Sequence, residues 1–464
     1  MSATNRPARG LSARAAPLSL ILALGCLALG LGSAAPPPAR ATFKAVIVGP
    51  ARGELEPCGC SGGQFGGIDR VAAAVSFAAQ SARGPVLRLA SGGVVGERAT
   101  VERDWGLAQL ETLWMAYGQM DLAAVGLFAD DLEVGLLALR ERVALLGRAS
   151  VVATNVVDAE GRFLFEPAYR DPGTGAVVLC FAEPGRRGDG WRTIEPAAAL
   201  QRLEREGRLG PAQAGALVFV EGEAADAEAV APAAPPGSVF LLSGAGGDPD
   251  HALGSLGGGV HWAGKLGERG RHLIELTPLP GSGYTWRDVP VSQSVPVLPE
   301  YAVYREQYRL TLEATDVVGQ LADHLGAPEA GAYAGSELCG DCHVEAYEIW
   351  EETLHSHGLE TLEQDLRGSA NALSDPACLF CHSVGFGYET GWASARVPVS
   401  ERRGLHGGLA GVGCESCHGP GMRHVESEDP DDILLSDAGT CIGCHDGEND
   451  PGFNFEKKWP QIEH

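Results

Sequence analysis

One five-residue pattern, repeated four times, constrains this chain more than any other feature. The copies are Cys339-Gly-Asp-Cys342-His343, Cys378-Leu-Phe-Cys381-His382, Cys414-Glu-Ser-Cys417-His418 and Cys441-Ile-Gly-Cys444-His445, all within 107 of the 464 residues. Two thiols three positions apart reach the two vinyl groups of one haem as thioethers. The histidine that follows lies under the iron and supplies its proximal ligand. Zinc sites also use C-x-x-C pairs, but zinc does not require histidine directly after the second cysteine, and neither does a disulfide. The pattern therefore predicts four covalently bound c-type haems, attached through Cys339, Cys342, Cys378, Cys381, Cys414, Cys417, Cys441 and Cys444. His343, His382, His418 and His445 are the expected iron ligands.

The surrounding composition fits this expectation. Residues 336–464 are rich in Gly, His, Cys and acid and carry few aliphatic stripes. A segment of that size and content cannot bury enough apolar area by itself, so porphyrin is expected to fill its interior. A second histidine in the sixth iron position gives a low-spin electron carrier, whereas an open position admits small ligands. The spare histidines are His355, His357, His406, His424 and His464, with His324 just upstream. Their spacing does not pair them with particular haems.

Charge narrows the partners. The whole chain has a formal net charge of −25, and residues 336–464 hold 24 acidic against 7 basic residues. Like charge argues against nucleic acid or an anionic membrane surface and favours a redox partner protein with a basic docking face.

Residues 1–41 read as a secretory signal. Arg6, Arg9 and Arg14 precede an apolar run from Ala15 to Leu31, and Ala39-Arg40-Ala41 forms an A-x-A cleavage site. The run is short for a membrane span. Membrane association is expected only if this segment is retained or Cys26 is lipidated. Export to the periplasm also suits the cofactor, because c-type haem is attached outside the cytoplasm.

Residues 42–290 alternate strand and helix signals, which implies an α/β layered domain. Strands are expected at Phe43–Val48, Pro85–Ala90, Leu122–Val125, Val151–Val157, Ala176–Phe181, Ala216–Val220, Val239–Leu242 and Arg271–Thr277. Glu221–Pro236, made of Ala, Pro and acid, is expected as a surface loop. Residues 291–335 read as a connector with one helix, marked by Tyr301, Tyr304, Tyr308, Leu312, Val317, Leu321 and Leu325 and ended by Gly326 and Pro328. Residues 336–464 are expected to be mainly helical and loop-rich.

Two family resemblances follow from these residues. Tyr333-Ala-Gly-Ser-Glu-Leu-Cys339-Gly-Asp-Cys342-His343, with Tyr347, Trp350 and Thr353-Leu-His355-Ser-His357, resembles the cytochrome c-554 family of tetrahaem cytochromes. So do Gly413-Cys-Glu-Ser-Cys-His-Gly-Pro-Gly421 with His424, and Trp459-Pro-Gln-Ile-Glu-His464. The resemblance implies closely packed, mostly bis-histidine haems that pass electrons. It implies His424 and His464 as distal ligands, one of His355 and His357 as a third, and His406 as a fourth. It also allows one open iron.

Residues 42–290 resemble calcineurin-like metallophosphoesterases of the 5′-nucleotidase type. The matching stretches are Gly53-Glu-Leu55, Gly66-Gly-Ile-Asp-Arg70, Pro85–Leu89, Asp121–Gly126 and Thr154-Asn155-Val156. Such enzymes hold two metals on Asp, His and Asn at strand ends. Here Val48-Gly-Pro-Ala-Arg52 stands where D-x-H is expected, and Ala90-Ser-Gly-Gly93 where D-x-G-D is expected. Leu127-Phe-Ala129 replaces N-H-E, and Ser243-Gly-Ala-Gly246 replaces G-H-x-H. Only Asn155 is retained in part. A metal pair has no cage in such a site, so the domain is expected to be degenerate and non-hydrolytic.

Glu56-Pro-Cys58-Gly-Cys60 adds a C-x-C pair. It fits a strained disulfide, a soft-metal site, a reactive thiol pair or a structural bond involving Cys180. Asp130 and Asp131 are expected as capping residues at a helix start. Three functions compete: an exported electron carrier, a haem oxidoreductase acting on a small nitrogen or sulfur compound at an open iron, and an active metallophosphohydrolase fused to a cytochrome.

Overall fold

Strand residues divide between two cores by parity. In β1 (Lys44–Val48), Ala45 and Ile47 face one apolar layer while Val46 and Val48 face another. The same alternation recurs in β2 (Val86–Ala90), β3 (Ala124–Gly126) and β4 (Ser150–Val152). It holds again in the second sheet, where Val178, Cys180, Leu217 and Phe219 meet the first sheet and Val177, Leu179, Val218 and Val220 turn away. Strands buried on both faces read as continuous apolar runs, and this is why.

The computed structural model describes residues 43–58, 64–96, 103–209, 215–243, 248–250, 255–256, 261–279, 283–363, 372–392, 408–446, 449–450 and 452–464. The expected signal segment with Cys26, and His406, lie outside these residues, as does Cys60. The second sheet comprises β5 (Tyr169–Arg170), β6 (Val177–Phe181), β7 (Ala216–Glu221), β8 (Val239–Ser243), β9 (Ser255–Leu256) and β10 (His261–Lys265). β11 (His272–Pro278) and β12 (Tyr284–Pro290) return to the first. The orders are β12-β11-β1-β2-β3-β4 and β9-β10-β8-β7-β6-β5. β1 to β4 run parallel, with Lys44 opposite Val86 and Ala124 opposite Ser150, and β11 joins β1 antiparallel with Ala45 opposite Leu276.

Helices cover both outer faces. α1 (Ile68–Gln80) and α2 (Arg103–Gln119) pack on the first sheet, and α3 (Ala129–Glu133) starts directly after β3. α4 (Pro196–Arg205) and α5 (Ala224–Val230) pack on the second. The result is four layers, α/β/β/α, in the amino-terminal part.

Three local expectations change. The Ala-rich stretch after Glu221 is helix, with Ala227 and Val230 buried, because Ala is the best helix former and Glu223 and Asp226 make a capping box. The strand expected over Val151–Val157 is split. Thr154 Oγ accepts from the Cys180 amide at 2.8 Å and Asn155 is bonded to Ala182, which pulls these two residues out of the ladder. The connector helix is two helices, α6 (Ala302–Thr315) and α7 (Val317–Leu321), because Asp316 sits at φ 53° in the left-handed region.

The carboxy-terminal part is helical: α8 (Ser336–Gly340), α9 (Val344–Glu351), α10 (Pro376–His382), α11 (Cys414–His418), α12 (Met422–Ser427) and α13 (Ala438–Ile442). It shares its apolar core with the first sheet's helix layer. Trp105 and Trp114 of α2, Tyr308 and Leu312 of α6, and Leu379, Val384, Phe386 and Trp392 belong to one cluster. Among the described residues, no helix is long and apolar enough to cross a membrane.

Candidate functional site

Each C-x-x-C-H motif forms about one helical turn. The His343 amide donates to Cys339 O at 2.9 Å, and the His445 amide to Cys441 O at 2.8 Å. The second and third motifs lie wholly on α10 and α11. All eight motif cysteines are unbridged. One turn puts the thiols on one side and the histidine beside them, as haem attachment requires.

Three motif histidines face a second histidine. His343 and His424 have ring centroids 6.1 Å apart with planes turned by 29°. His355 and His445 are 6.0 Å apart at 48°, and His418 and His464 are 5.9 Å apart at 59°. Two imidazoles bound on opposite sides of one iron, each with its nitrogen about 2 Å away, have centroids roughly 6 Å apart. The three gaps match that separation.

The ring hydrogen bonds fix the tautomers. Nδ1 of His418 meets Leu434 O at 2.9 Å, of His424 meets Asp429 O at 2.8 Å, and of His464 meets Ile462 O at 2.8 Å. Nδ1 of His382 meets Gly358 O at 2.6 Å. A carbonyl oxygen only accepts, so Nδ1 carries the proton and Nε2 is left for a metal. His445 Nδ1 is held by Asp450 at 2.9 Å. Burial, and after it the facing His445, pushes His355 below the usual imidazole range, toward the neutral form that ligates. His357 instead lies 3.3 Å from Glu360 and is 54% exposed, so the structure places His355 rather than His357 opposite a motif histidine.

The packing around the motifs fits a large apolar group. Past Leu409 no described hydrophobic residue is buried, although two motifs lie there. Leu434, Leu435 and Ile442 are exposed there, as is Leu354 next to His355. The Cys414 amide donates to Ser336 Oγ at 3.1 Å, which brings the third motif against the helix of the first.

Glu415, inside the third motif, was not singled out by sequence reasoning. It is 3% exposed and accepts from the amides of Ala334, Gly335 and Gly421 at 2.7, 2.7 and 2.6 Å. Gly335 starts the helix of the first motif and Gly421 starts the helix of His424. A charged residue between two haem cysteines was the available signal.

The amino-terminal cleft holds a different set. Arg52, at φ 49°, lies where the strand ends converge. Its guanidinium is 3.3 Å from Glu268, 3.5 Å from Asp130 and 3.4 Å from Ser243 Oγ. Asp131 accepts from four amides, of Phe128, Gly93, Val94 and Val95, at 2.7–3.1 Å, and so caps α3. Asn155 is spent on the backbone: it donates to Ala182 O and Ile194 O and accepts from the Ala182 amide. Glu221 accepts from the Ala129 and Glu183 amides, and burial pushes it up to about 7. Cys180 is unbridged and buried between the sheets, donating to Leu127 O. Only the backbone of Cys58 is described, so the C-x-C pair lies outside what the structure describes. Among the described residues, no three His, Cys, Asp or Glu side chains converge to hold a metal ion.

Comparison with known proteins places the carboxy-terminal part. Residues 338–419 match the family described as cytochrome c554 and c-prime. The match takes in three motifs and stops before the fourth. Cytochrome c-554 of Nitrosomonas europaea is 33% identical over 99 residues, which is 19% of this chain and 39% of that protein. The C-type polyheme cytochrome OmcB of Geobacter sulfurreducens is 32% identical over 97 residues, 21% of this chain and 12% of that one. The chain thus spans well under half the length of either relative. It carries a cytochrome c554-family domain, a family whose haem is covalently bound.

Similar solved structures include sulfate thiohydrolase SoxB of Thermus thermophilus, with TM-score 0.46, 13% identity and coverage of 61% of this chain and 62% of that one. A 5′-nucleotidase precursor from the same organism has TM-score 0.44 and 16% identity over 60% and 59%. Calcineurin-like phosphoesterase YfkN of Bacillus subtilis has TM-score 0.42 and 10% identity over 60% and 100%. The mixed α/β sheets of the amino-terminal part resemble those of calcineurin-like phosphoesterases.

Proposed function

We propose that this protein is an exported electron carrier with four covalently bound haems, one at each C-x-x-C-H motif. The carrying observation is the three imidazole pairs at 5.9–6.1 Å, each with one motif histidine. His343 with His424, His445 with His355, and His418 with His464 would hold three irons. His382, with its Nδ1 on Gly358 O, would hold the fourth through its Nε2. Bound haem supplies a one-electron iron couple. The chain's residues orient the rings of His382, His418, His424, His445 and His464 through their Nδ1 bonds, which leaves Nε2 of each ring to hold an iron.

The amino-terminal layers act as scaffold and docking surface, not as a hydrolase. Arg52 supports this reading, because a fixed guanidinium repels the divalent cations that a phosphoesterase cleft would gather. The redox partner presents a basic face to the acidic carboxy-terminal part.

Haem content, spin state and hydrolysis test the reading on the mature protein made in a host that attaches c-type haem. Four haems, a low-spin oxidised spectrum, no carbon monoxide shift after reduction and no phosphodiester turnover with Mn²⁺ or Zn²⁺ are expected. A protein that weighs only its amino acids overturns the whole reading. A carbon monoxide adduct favours the oxidoreductase, and metal-dependent turnover favours the hydrolase.

A further inference from the structure

Asp375 opens α10, the helix of the second haem motif, and is 7% exposed. Its Oδ1 accepts from the Ala377 amide at 3.0 Å and lies 3.5 Å from the Tyr308 hydroxyl. Tyr308 is on the connector helix α6 and accepts in turn from the Trp105 indole of α2 at 3.0 Å. Beside it, Arg309 pairs with Glu56 at 3.0 Å, and Arg305 pairs with Glu56 at 3.1 Å and Asp69 at 3.2 Å. The first cysteine of the motif, Cys378, follows Asp375 by one turn, and its amide donates to Asp375 O at 3.1 Å.

This arrangement crosses the molecule. Glu56 and Asp69 belong to the amino-terminal layers, Arg305, Tyr308 and Arg309 to the connector, and Asp375 to the cytochrome part. The charged and titratable groups facing Asp375 are Arg309 and Tyr308 from α6, Glu56 from the segment after β1, and Cys378 on its own helix. Burial pushes the Asp375 carboxyl up to about 6. The Ala377 amide and Arg309 pull it down and Glu56 pushes it further up.

We propose that Asp375, held by the Ala377 amide beside Tyr308, is a positioning residue that couples the electron affinity of the second haem motif to proton uptake, under the control of the amino-terminal layers through the Glu56–Arg309 pair next to Tyr308. The proposal rests on the reading that Cys378, Cys381 and His382 carry a haem. When a donor protein delivers one electron beside α10, one solvent proton binds the Asp375 carboxylate, and it leaves when the electron leaves. Only an O–H bond forms and breaks. An ionised carboxylate disfavours added negative charge nearby, so reduction is easier when Asp375 is protonated.

The test is spectroelectrochemical titration of the full haem-loaded protein from pH 5 to 8, preceded by a haem count, for the wild type, Asp375→Asn and Tyr308→Phe. In the wild type, one haem component falls in potential as pH rises through about 6, by at most one proton per electron. Asp375→Asn removes that dependence and holds the component at its low-pH potential. Tyr308→Phe withdraws a donor from the carboxylate and moves the bend to higher pH. The coupling is overturned if Asp375→Asn keeps the wild-type slope, or if no wild-type component responds to pH. Should Asp375→Asn not fold, an unmoved bend in Tyr308→Phe overturns it equally. Absence of haem overturns the function itself; haem with pH-independent potentials overturns the coupling alone.

Discussion

Glu415 holds the Gly421 amide at 2.6 Å from inside the third haem motif, and so ties that motif to the helix that presents His424 to His343. Its other oxygen takes the Gly335 amide at 2.7 Å, at the start of the helix bearing Cys339. One carboxylate thus ties together the segments that carry His343 and His424, the pair proposed above to hold one iron. Glu415→Gln keeps the shape but turns one acceptor into a donor facing an amide. Hydrogen bonds to buried charged groups contribute about 1.5–3 kcal/mol each, so a loss of about 2–4 kcal/mol is expected. Thermal unfolding followed in the haem band should show the drop, together with partial high-spin character. An unchanged midpoint would make Glu415 a bystander.

What the sequence conveyed follows from how local the chemistry is. Haem attachment is made by five consecutive residues, so its motifs could be read directly. The strand at Lys44–Val48 was legible for the same reason, as a short continuous apolar run, but not which of its residues face which core. The ligand pairs were not, because His343 and His424, or His355 and His445, meet only through the tertiary fold. Glu56 and Arg309 form a buried pair across distant segments and leave no local trace. The stretch after Glu221 was misread because its low hydrophobicity hid a helix that needs only Ala227 and Val230 to pack. Asp316 broke the connector helix while the apolar stripe ran on across it, so periodicity alone gave one helix instead of two.

The ligand assignment predicts a graded set of spectra. His355→Ala, His424→Ala and His464→Ala should each convert one haem component from low-spin to high-spin, since each removes one ring of a facing pair. His357→Ala should leave every component low-spin, because that ring is 54% exposed and it is His355 that faces His445. Electron paramagnetic resonance of the oxidised protein distinguishes the four variants. The assignment of His355 fails if His357→Ala produces the high-spin signal instead.

Arg52 lies between Glu268 at 3.3 Å and Asp130 at 3.5 Å, with its side chain 12% exposed. Arg52→Ala takes this cation away from both carboxylates, while Asp130 keeps Arg186 at 3.3 Å. Removing one partner of a buried pair is strongly destabilising, and with the partial exposure here a loss of about 2–3 kcal/mol is expected. Urea unfolding of the wild type and the variant measures it. If the cleft were instead held together by metal ions, EDTA would destabilise the wild type and Arg52→Ala would cost little.

Glu221 gives the amino-terminal part a pH dependence of definite sign. Burial, opposed by the Ala129 and Glu183 amides and reinforced by Asp130 and Asp131, raises this carboxyl from 4.5 to about 7. Between these values the folded protein holds a proton that the unfolded chain has lost. The stability this contributes is therefore present below pH 4.5 and is lost as pH rises through about 7. A shift of one unit is worth about 1.4 kcal/mol, and after allowing for partial solvent contact the loss is roughly 2 kcal/mol. Glu221→Gln keeps an oxygen acceptor and has no charge to expose, so its stability should stay level over pH 5–8 where the wild type declines. Denaturant midpoints at several pH values separate the two. Parallel declines in both proteins would assign the effect to another group.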